Sequence, residues 1–283
     1  MTPLVSVIMP TYNAERFLAS AIESVLTQDY SDFEFIVVED ASTDATHIII
    51  QHYANLDSRV RVLRNEGNRS VSYSRNRGIL ASSGEYIATF DSDDLCMPDR
   101  LSTQVRRMEK HGELGVIGSS IFLIDERNRV MGFRRYPTDD QQLRRNMFKF
   151  SPFAAPSTMI RKTILVNAGL YDEQLGPGED IDLWFRIGRI AKFANCPETL
   201  LKYRLHGAST TFRRIRRMNA LTFKIRMRAL RDYGYPITAL TMIQMLGIRV
   251  LTFFLPPGIQ MYLFEKVRER ILRQQDECPI NDH

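Results

Sequence analysis

Gly84-Glu85-Tyr86-Ile87-Ala88-Thr89-Phe90-Asp91-Ser92-Asp93-Asp94 carries a β-favouring run, Tyr86 to Phe90, straight into three carboxylates within four positions. Such a run reads as a buried strand, which puts the acids at its carboxyl end. Carboxylates this close repel one another unless donors or a cation sit among them, and a hard divalent ion relieves the repulsion while bridging a diphosphate. The other reading is an Asp-rich turn capping the helix that starts near Asp99, and a D-x-D alone does not separate the two. Position favours the first, because the pattern of strand then polar loop recurs upstream.

Leu4 to Met9 is a β-branched run ended by Pro10, and Ala14, Phe17, Leu18, Ala21, Ile22, Val25 and Leu26 follow at helical spacing. Phe33 to Glu39 predicts a second strand with Asp40 at its end, and Ser42-Thr43-Asp44 caps the helix through His47 and Ile50. Val60 to Leu63 predicts a third strand and Val71 to Ala81 a helix. Strands alternating with helices over the first 110 residues predict an α/β fold, a mostly parallel sheet with helices on both faces. Ligands of such sheets lie beyond the carboxyl ends of the strands, so the loops at Pro10, Asp40 and Asp91 are expected to meet in one crevice. Short strands flank the turn Asp125-Glu126-Arg127-Asn128, and the less regular region to Tyr203 reads as an acceptor-binding half.

Asp40 can accept a hydrogen bond from a base or ribose, or it can be a helix-capping Asp beside Ser42. Arg75 and Asn76 sit inside a helix, where a guanidinium reaches phosphate oxygens or simply points into solvent. The chain has no G-x-G-x-x-G or Walker-type loop, so a metal and Arg75 have to do the phosphate binding. Gly176-Pro177-Gly178-Glu179-Asp180-Ile181-Asp182-Leu183-Trp184 puts adjacent acids in the first turn of a helix. Helix starts favour acids on electrostatic grounds alone, while a carboxylate at a loop–helix junction can also serve as a general base. His206, which follows an expected strand Leu200 to Tyr203 and stands in the loop that continues Gly207-Ala208-Ser209-Thr210, is either structural or a ligand for the metal or a phosphate.

The net charge of +5 is unevenly spread: Thr199 to Arg231 holds ten Lys or Arg and no acid, leaving the remainder at −5. That excludes a uniformly basic nucleic-acid binder and suggests a local surface for an anionic partner. Cys96, Cys196 and Cys278 are widely spaced and lack C-x-x-C pairing, which argues against a disulfide frame or a zinc site and fits a reducing cytosol. Strand-like sequence begins at Leu4 without a basic and apolar leader, so no secretory signal is expected.

Residues 1–211 read as the catalytic domain and 212–283 as a basic amphipathic helical tail. Ile215, Met218, Leu221 and Ile225 share one face, ringed by Arg213, Arg214, Arg216, Arg217, Lys224, Arg226, Arg228 and Arg231. The apolar stretches Tyr233 to Ile248 and Val250 to Phe264 are broken by Arg249 and Pro256-Pro257, which suits helices lying on an anionic bilayer better than spanning ones. The competing expectation is that these faces, from Ile237 to Phe264, pack on the catalytic domain or on a second copy in a homodimer.

Five segments in order, Val5 to Asn13, Val37 to Asp44, Ser74 to Gly78, Gly84 to Asp94 and Glu179 to Trp184, resemble the family 2 inverting glycosyltransferases over Val5 to Thr211. The resemblance implies the GT-A fold. It places Pro10, Tyr12 and Asp40 around the base of a nucleotide-diphosphate sugar, with a uridine diphosphate sugar as the expected donor. Arg75 would approach the nucleotide, Asp91 the ribose beside Ser92, and Asp93 would hold Mn²⁺ or Mg²⁺. Asp180 would be the catalytic base and His206 would steady metal and diphosphate, with Glu179 and Asp94 in support. Glu39 and Ala41 stand where that family more often has Asp and Gly, and Ser70 where Gly is usual. The Q-x-x-R-W motif of processive synthases is missing, so one sugar per encounter is expected.

The expected chemistry is metal-assisted single displacement onto a hydroxyl of a glycan or lipid-linked glycan, of hexosyl or N-acetylhexosaminyl type, at the cytoplasmic face of the plasma membrane. Two rivals stand beside it. A nucleotidyltransferase would use the same strand-end acids and need no Asp180, and a non-catalytic module would grip a polyanion through the basic tail.

Overall fold

The computed structural model describes residues 4–176, 178–206, 215–255, 259 and 266. Pro177, Gly207-Ala208-Ser209-Thr210, Arg213, Arg214, Pro256-Pro257 and Cys278, all singled out above, lie outside the described residues, as do the side chains of Ile215, Arg216 and Arg217. The chain runs β1 (Val5–Thr11), α1 (Leu18–Leu26), β2 (Phe33–Glu39), α2 (Thr46–Leu56), β3 (Val60–Arg64), α3 (Val71–Ala81), β4 (Tyr86–Thr89), β5 (Leu95–Cys96), α4 (Arg100–Lys110), β6 (Leu114–Ile124) and β7 (Val130–Arg134). It continues through α5 (Asp140–Asn146), β8 (Met159–Arg161), α6 (Lys162–Asn167), α7 (Glu179–Ile187), β9 (Lys192–Arg204), α8 (Ile215–Asp232) and α9 (Ala239–Phe254).

One sheet has the order β3-β2-β1-β4-β8-β6-β9-β5, with β7 added beside β6. β1, β2, β3 and β4 form a parallel wing, and the long β6–β9 ladder is parallel too. The short β8 joins the two parts antiparallel to both β4 and β6. β1 and β2 are buried along their whole length because alternate residues feed two cores. Val5, Val7 and Met9 meet Leu18, Ala21, Ile22 and Val25 of α1 on one face, whereas Ile8 joins Ile79, Leu183, Trp184 and Phe185 on the other. The i, i+3, i+4, i+7 spacing of the α1 contacts is what the helical period requires, and each large side chain so buried contributes roughly 1.5–3 kcal/mol. Gly78 brings α3 onto this sheet, since an added Cβ would lie 2.7 Å from the Ile8 side chain and 3.1 Å from that of Val38.

The structure corrects three strand ends. β1 does not stop at Pro10 but continues to Thr11, with Pro10 buried opposite Val38. A central strand accepts this proline where its ladder to β4 closes: the last β1–β4 pair is Ile8 with Thr89, and Pro10, which has no N–H to give, is paired with β2. β4 closes at Thr89, one residue before Phe90, although the Phe90 amide still donates to the Ile8 carbonyl at 3.0 Å. β9 starts at Lys192 rather than near Leu200; its register jumps from Cys196–Ser119 to Thr199–Ser120, so Pro197 and Glu198 bulge out and hide the strand in the sequence.

α8 is seated on the body of the protein. Ile225 and Ala229 are buried beside Leu183 and Phe185, and from the segment after α8 the Tyr235 hydroxyl donates to the Phe185 carbonyl at 3.0 Å. α9 buries Met245 in the same core but leaves Leu240, Ile243, Leu246 and Val250 exposed. No helix among the described residues is long and apolar enough to cross a membrane.

Candidate active site

Because β1, β2 and β4 are parallel and adjacent, their carboxyl ends share one edge, and the loops leaving it are tied together by side chains. Asn13 of the first loop donates its amide to the Ser42 hydroxyl at 3.1 Å and accepts from the Thr43 amide at 2.9 Å. The Asp40 amide bonds the Thr11 carbonyl, and Asp40 Oδ1 accepts from Asn65 Nδ2 at 2.5 Å and from the Arg69 amide at 3.0 Å. Asp40 is therefore a buried tie between the ends of β2 and β3 as well as a carboxylate on the crevice edge. Ser42-Thr43-Asp44 caps α2 through Asp44, whose Oδ1 accepts from the Thr46 amide at 3.0 Å. Glu39, fully buried, closes the turn on itself by accepting from the Ser42 amide and from Arg64. Ala41 sits at φ +59°, the left-handed region that favours glycine. Tyr12 stands half exposed at the end of β1, as a side chain offered to a flat ligand must.

At the end of β4, Arg100 is wholly buried and donates to the Thr89 carbonyl at 2.8 Å and the Thr158 carbonyl at 3.2 Å, anchoring the strand just before Asp91. Asp93 Oδ2 lies 2.8 Å from His206 Nε2 across 113 positions of sequence. Arg204, the last residue of β9, fixes that pair. Its amide donates to Asp94 Oδ1 at 2.8 Å, its Nε to the Asp93 carbonyl at 2.6 Å and its Nη1 to the Asp125 carbonyl at 3.0 Å, while the guanidinium stacks over Phe17 at 4.4 Å. Ser92 is half-buried between the two acids. Asp94 Oδ2 is buried without a hydrogen-bond partner. Burial, with Asp93 and Asp91 beside it, holds the Asp94 carboxyl well above its ordinary range; burial likewise raises Asp91.

Arg75 is buried, and its partners are carboxylates rather than open solvent. Nη2 bonds Asp91 Oδ1 and Nη1 bonds Glu179 Oε1, both at 2.8 Å. Asn76 serves the same junction, donating to the Tyr171 carbonyl and accepting from its amide. Glu179 and Asp180 open α7 behind Gly178 at φ +104°. Burial first, and then the neighbouring Glu179 charge, push the Asp180 carboxyl up to about 7.

Asp91, Asp93, Arg75, Glu179, Asp180 and His206 are thus brought to one crevice, with Asp40 joined to it through Asn65, whose Nδ2 also donates to Ser74 beside Arg75. Pro10 is the exception: it is buried in the ladder, one residue short of the crevice. A separate hollow of about 470 Å³, lined by Arg144, Arg161 and Lys192, opens at the amino ends of β6 and β9 and contains none of these acids. Sequence reading missed Asn65, Arg100 and Arg204. Asn65 had a signal, since it follows β3 as Asp40 follows β2; Arg204 had one in closing the expected strand Leu200-Leu201-Lys202-Tyr203.

A metal is tested by the donors present. No three His, Cys, Asp or Glu side chains form a cage among the described residues. Mg²⁺-like ions at nucleotide sites are held instead by one or two carboxylates, water and substrate phosphates, which is what the Asp93 carboxylate and the His206 imidazole offer. The unpartnered Asp94 oxygen next to them adds a second polar atom in search of a partner.

A family model described as Glycosyl transferase family 2 matches residues 6–167. An uncharacterized glycosyltransferase of Methanocaldococcus jannaschii is 34% identical over 78% of this chain and 77% of its own. The O-antigen biosynthesis glycosyltransferase WbnJ of Escherichia coli is 32% identical over 73% of this chain and 82% of its own. Among solved structures, residues 1–349 of S. aureus TarS with UDP-GlcNAc match with TM-score 0.65 at 21% identity, over 90% of this chain and 73% of that one. The mannosyltransferase PcManGT of Pyrobaculum calidifontis with GDP-Man and Mn²⁺ matches with TM-score 0.65 at 18% identity, over 87% and 69%. These likenesses establish the fold as that of the GT-A glycosyltransferases.

Proposed function

The chain belongs to glycosyltransferase family 2, and from that premise we propose that it moves one sugar from a nucleotide-diphosphate sugar to a hydroxyl of a glycan or lipid-linked glycan, with inversion. What carries the reading is one arrangement: the Asp93–His206 pair and the Asp91–Arg75–Glu179 bridge lie along a single crevice at the carboxyl edge of the parallel strands, with Asp180 beside that bridge. The family overrides both rivals named from sequence, the nucleotidyltransferase and the polyanion-binding module.

Tyr12 and Asp40 hold the base, Asp91 with Ser92 the ribose, and Pro10 shapes the floor from within β1. Asp93 and His206 would hold Mn²⁺ or Mg²⁺, with Asp94 in support, and such an ion supplies positive charge against the diphosphate leaving group. Asp180, with its carboxyl raised to about 7, takes the proton from the acceptor hydroxyl. The hydroxyl oxygen bonds the anomeric carbon as the bond to the diphosphate oxygen breaks, and the electron pair leaves with the nucleoside diphosphate. Attack from the opposite face turns an α-linked donor into a β-linked product. The neighbours solved with UDP-GlcNAc and with GDP-Man support a uridine or guanosine donor and hexosyl or N-acetylhexosaminyl transfer, with the uridine form favoured.

Residues 1–211 constitute the transfer domain and 212–283 an attached tail that begins with α8. The exposed apolar stripe of α9 and the exposed Lys224 and Arg231 support peripheral attachment to an anionic membrane at its cytoplasmic face, where a lipid-linked acceptor lies. The alternative, a homodimer through the same stripe, predicts concentration-dependent mass without vesicle binding. For the activity itself, the test is incubation with uridine- and guanosine-diphosphate sugars, with and without Mn²⁺, followed by nuclear magnetic resonance of the product anomer. Metal-dependent release of nucleoside diphosphate and a β-linked product are expected; pyrophosphate release from a nucleoside triphosphate, or a retained α-linkage, contradicts the proposal.

A further inference from the structure

We infer that Arg75 is a positioning residue: by bridging Asp91 and Glu179 it fixes the amino end of α7, and with it Asp180, against the donor seat, and it does not bind the donor's phosphates. The inference rests on the reading of Asp180 as the base.

The geometry leaves Arg75 little else to do. Its side chain is 6% exposed, each terminal nitrogen bonds a carboxylate at 2.8 Å, and its Nε is buried without a partner. One face of the guanidinium lies over the Tyr171 ring, with Cζ 5.4 Å from its centroid. A phosphate would have to enter beside two carboxylates that already hold the guanidinium, against their negative charge, and separating Arg75 from the buried Glu179 is costly. The fork also suits the task, since a planar guanidinium orients two acids at once where an ammonium is only a point charge.

Glu179 is the right handle because of what precedes it. Gly178 takes a left-handed backbone angle, φ +104°, and its amide donates to Glu179 Oε2 at 3.0 Å while Oε1 takes the Arg75 bond. One side chain therefore closes the turn and docks it onto α3. Asp180 is the next residue; the core holds α7 from Leu183 onward, so its first turn is what the bridge sets, and a base displaced by about 1 Å loses on the order of 10²-fold in rate.

The test uses the full chain as Arg75→Lys, Glu179→Gln and the double variant. Three quantities are measured: kcat, the Kd of uridine and guanosine diphosphate with Mn²⁺ by calorimetry, and hydrogen exchange of the Ile181–Leu183 amides. Each single variant is expected to lose about 10- to 100-fold in kcat, the double no more than the worse single, and nucleotide Kd should stay within about threefold. The α7 amides should exchange faster in all three. A nucleotide Kd raised about tenfold or more by Arg75→Lys with α7 exchange unchanged, or losses that multiply in the double, overturns the inference. If Arg75→Lys does not fold, Glu179→Gln alone decides by the same kcat and exchange readouts. Wild-type protein that turns over no nucleotide sugar sinks the proposed function instead, while the exchange comparison still decides whether the bridge holds α7.

Discussion

The edge proposed to bind the donor and the turn proposed to carry the base lie side by side but are built on opposite terms. At the donor edge the polar groups of successive loops bond one another: Asp40 to Asn65 and Arg69, Glu39 to Ser42 and Arg64, Asn13 to Ser42 and Thr43. At the start of α7, Asp180 has the first-turn backbone amides as donors, and burial with an acidic neighbour leaves its carboxyl at about 7. A surface that must recognise a ligand gains from prepaid order, whereas a group that must accept a proton gains from a raised proton affinity. Binding and chemistry should therefore fail separately when each region is altered.

The largest expected effect is Asp180→Asn, which removes the base without changing its volume and should lower kcat by about 10³-fold, read by nucleoside diphosphate release. Next, Asp93→Asn should cost on the order of 10²–10³ and abolish the Mn²⁺ dependence, as should a chelator on the wild type. The pH dependence follows in size. Asp180 acts deprotonated, and Glu179, Arg75 and Tyr171 are the charged or titratable groups that face it. Its ordinary value is that of an Asp, so the raised carboxyl means activity climbs with pH and levels off above about 7, falling roughly tenfold per unit below it. A rate independent of pH between about 5 and 8 would remove the poised-base half of the comparison.

The smallest effect belongs to the ordered edge. Ala41→Gly relieves the left-handed strain at φ +59° and should stabilise the protein by about 1 kcal/mol in urea unfolding, with turnover unchanged. That position also shows how far sequence goes: Ala41 departs from the family's more usual Gly, and the backbone angle gives the reason.

The parallel wing was legible because alternation, helical spacing and caps are local signals; β2, α3 and the acids that follow β2 and β4 fall where the pattern puts them. What the sequence concealed is long-range. Pro10 looks like a strand stop until one knows that β4 has ended beside it, and Pro197 masks the first half of β9 as a bulge. Asp93 and His206 are 113 positions apart, and only β9 running beside β6, with β5 on its other flank, brings them to 2.8 Å. Arg75 reads as a phosphate ligand in one dimension because the carboxylates it bonds in the fold, Asp91 and Glu179, are themselves candidate site residues with other expected tasks. The tail divides in the same way: the amphipathic pattern of α8 was visible, but not that Ile225 and Ala229 cover α7.

The central claim, that recognition sits with the edge and proton transfer with α7, is tested most directly by nucleotide titration and turnover on Asp40→Ala and Asp180→Asn side by side. The account predicts that Asp40→Ala weakens uridine or guanosine diphosphate binding about tenfold or more, while Asp180→Asn binds it like the wild type and turns over about 10³-fold more slowly. Equal loss of nucleotide binding in both variants, or turnover near the wild-type rate in Asp180→Asn, would contradict it.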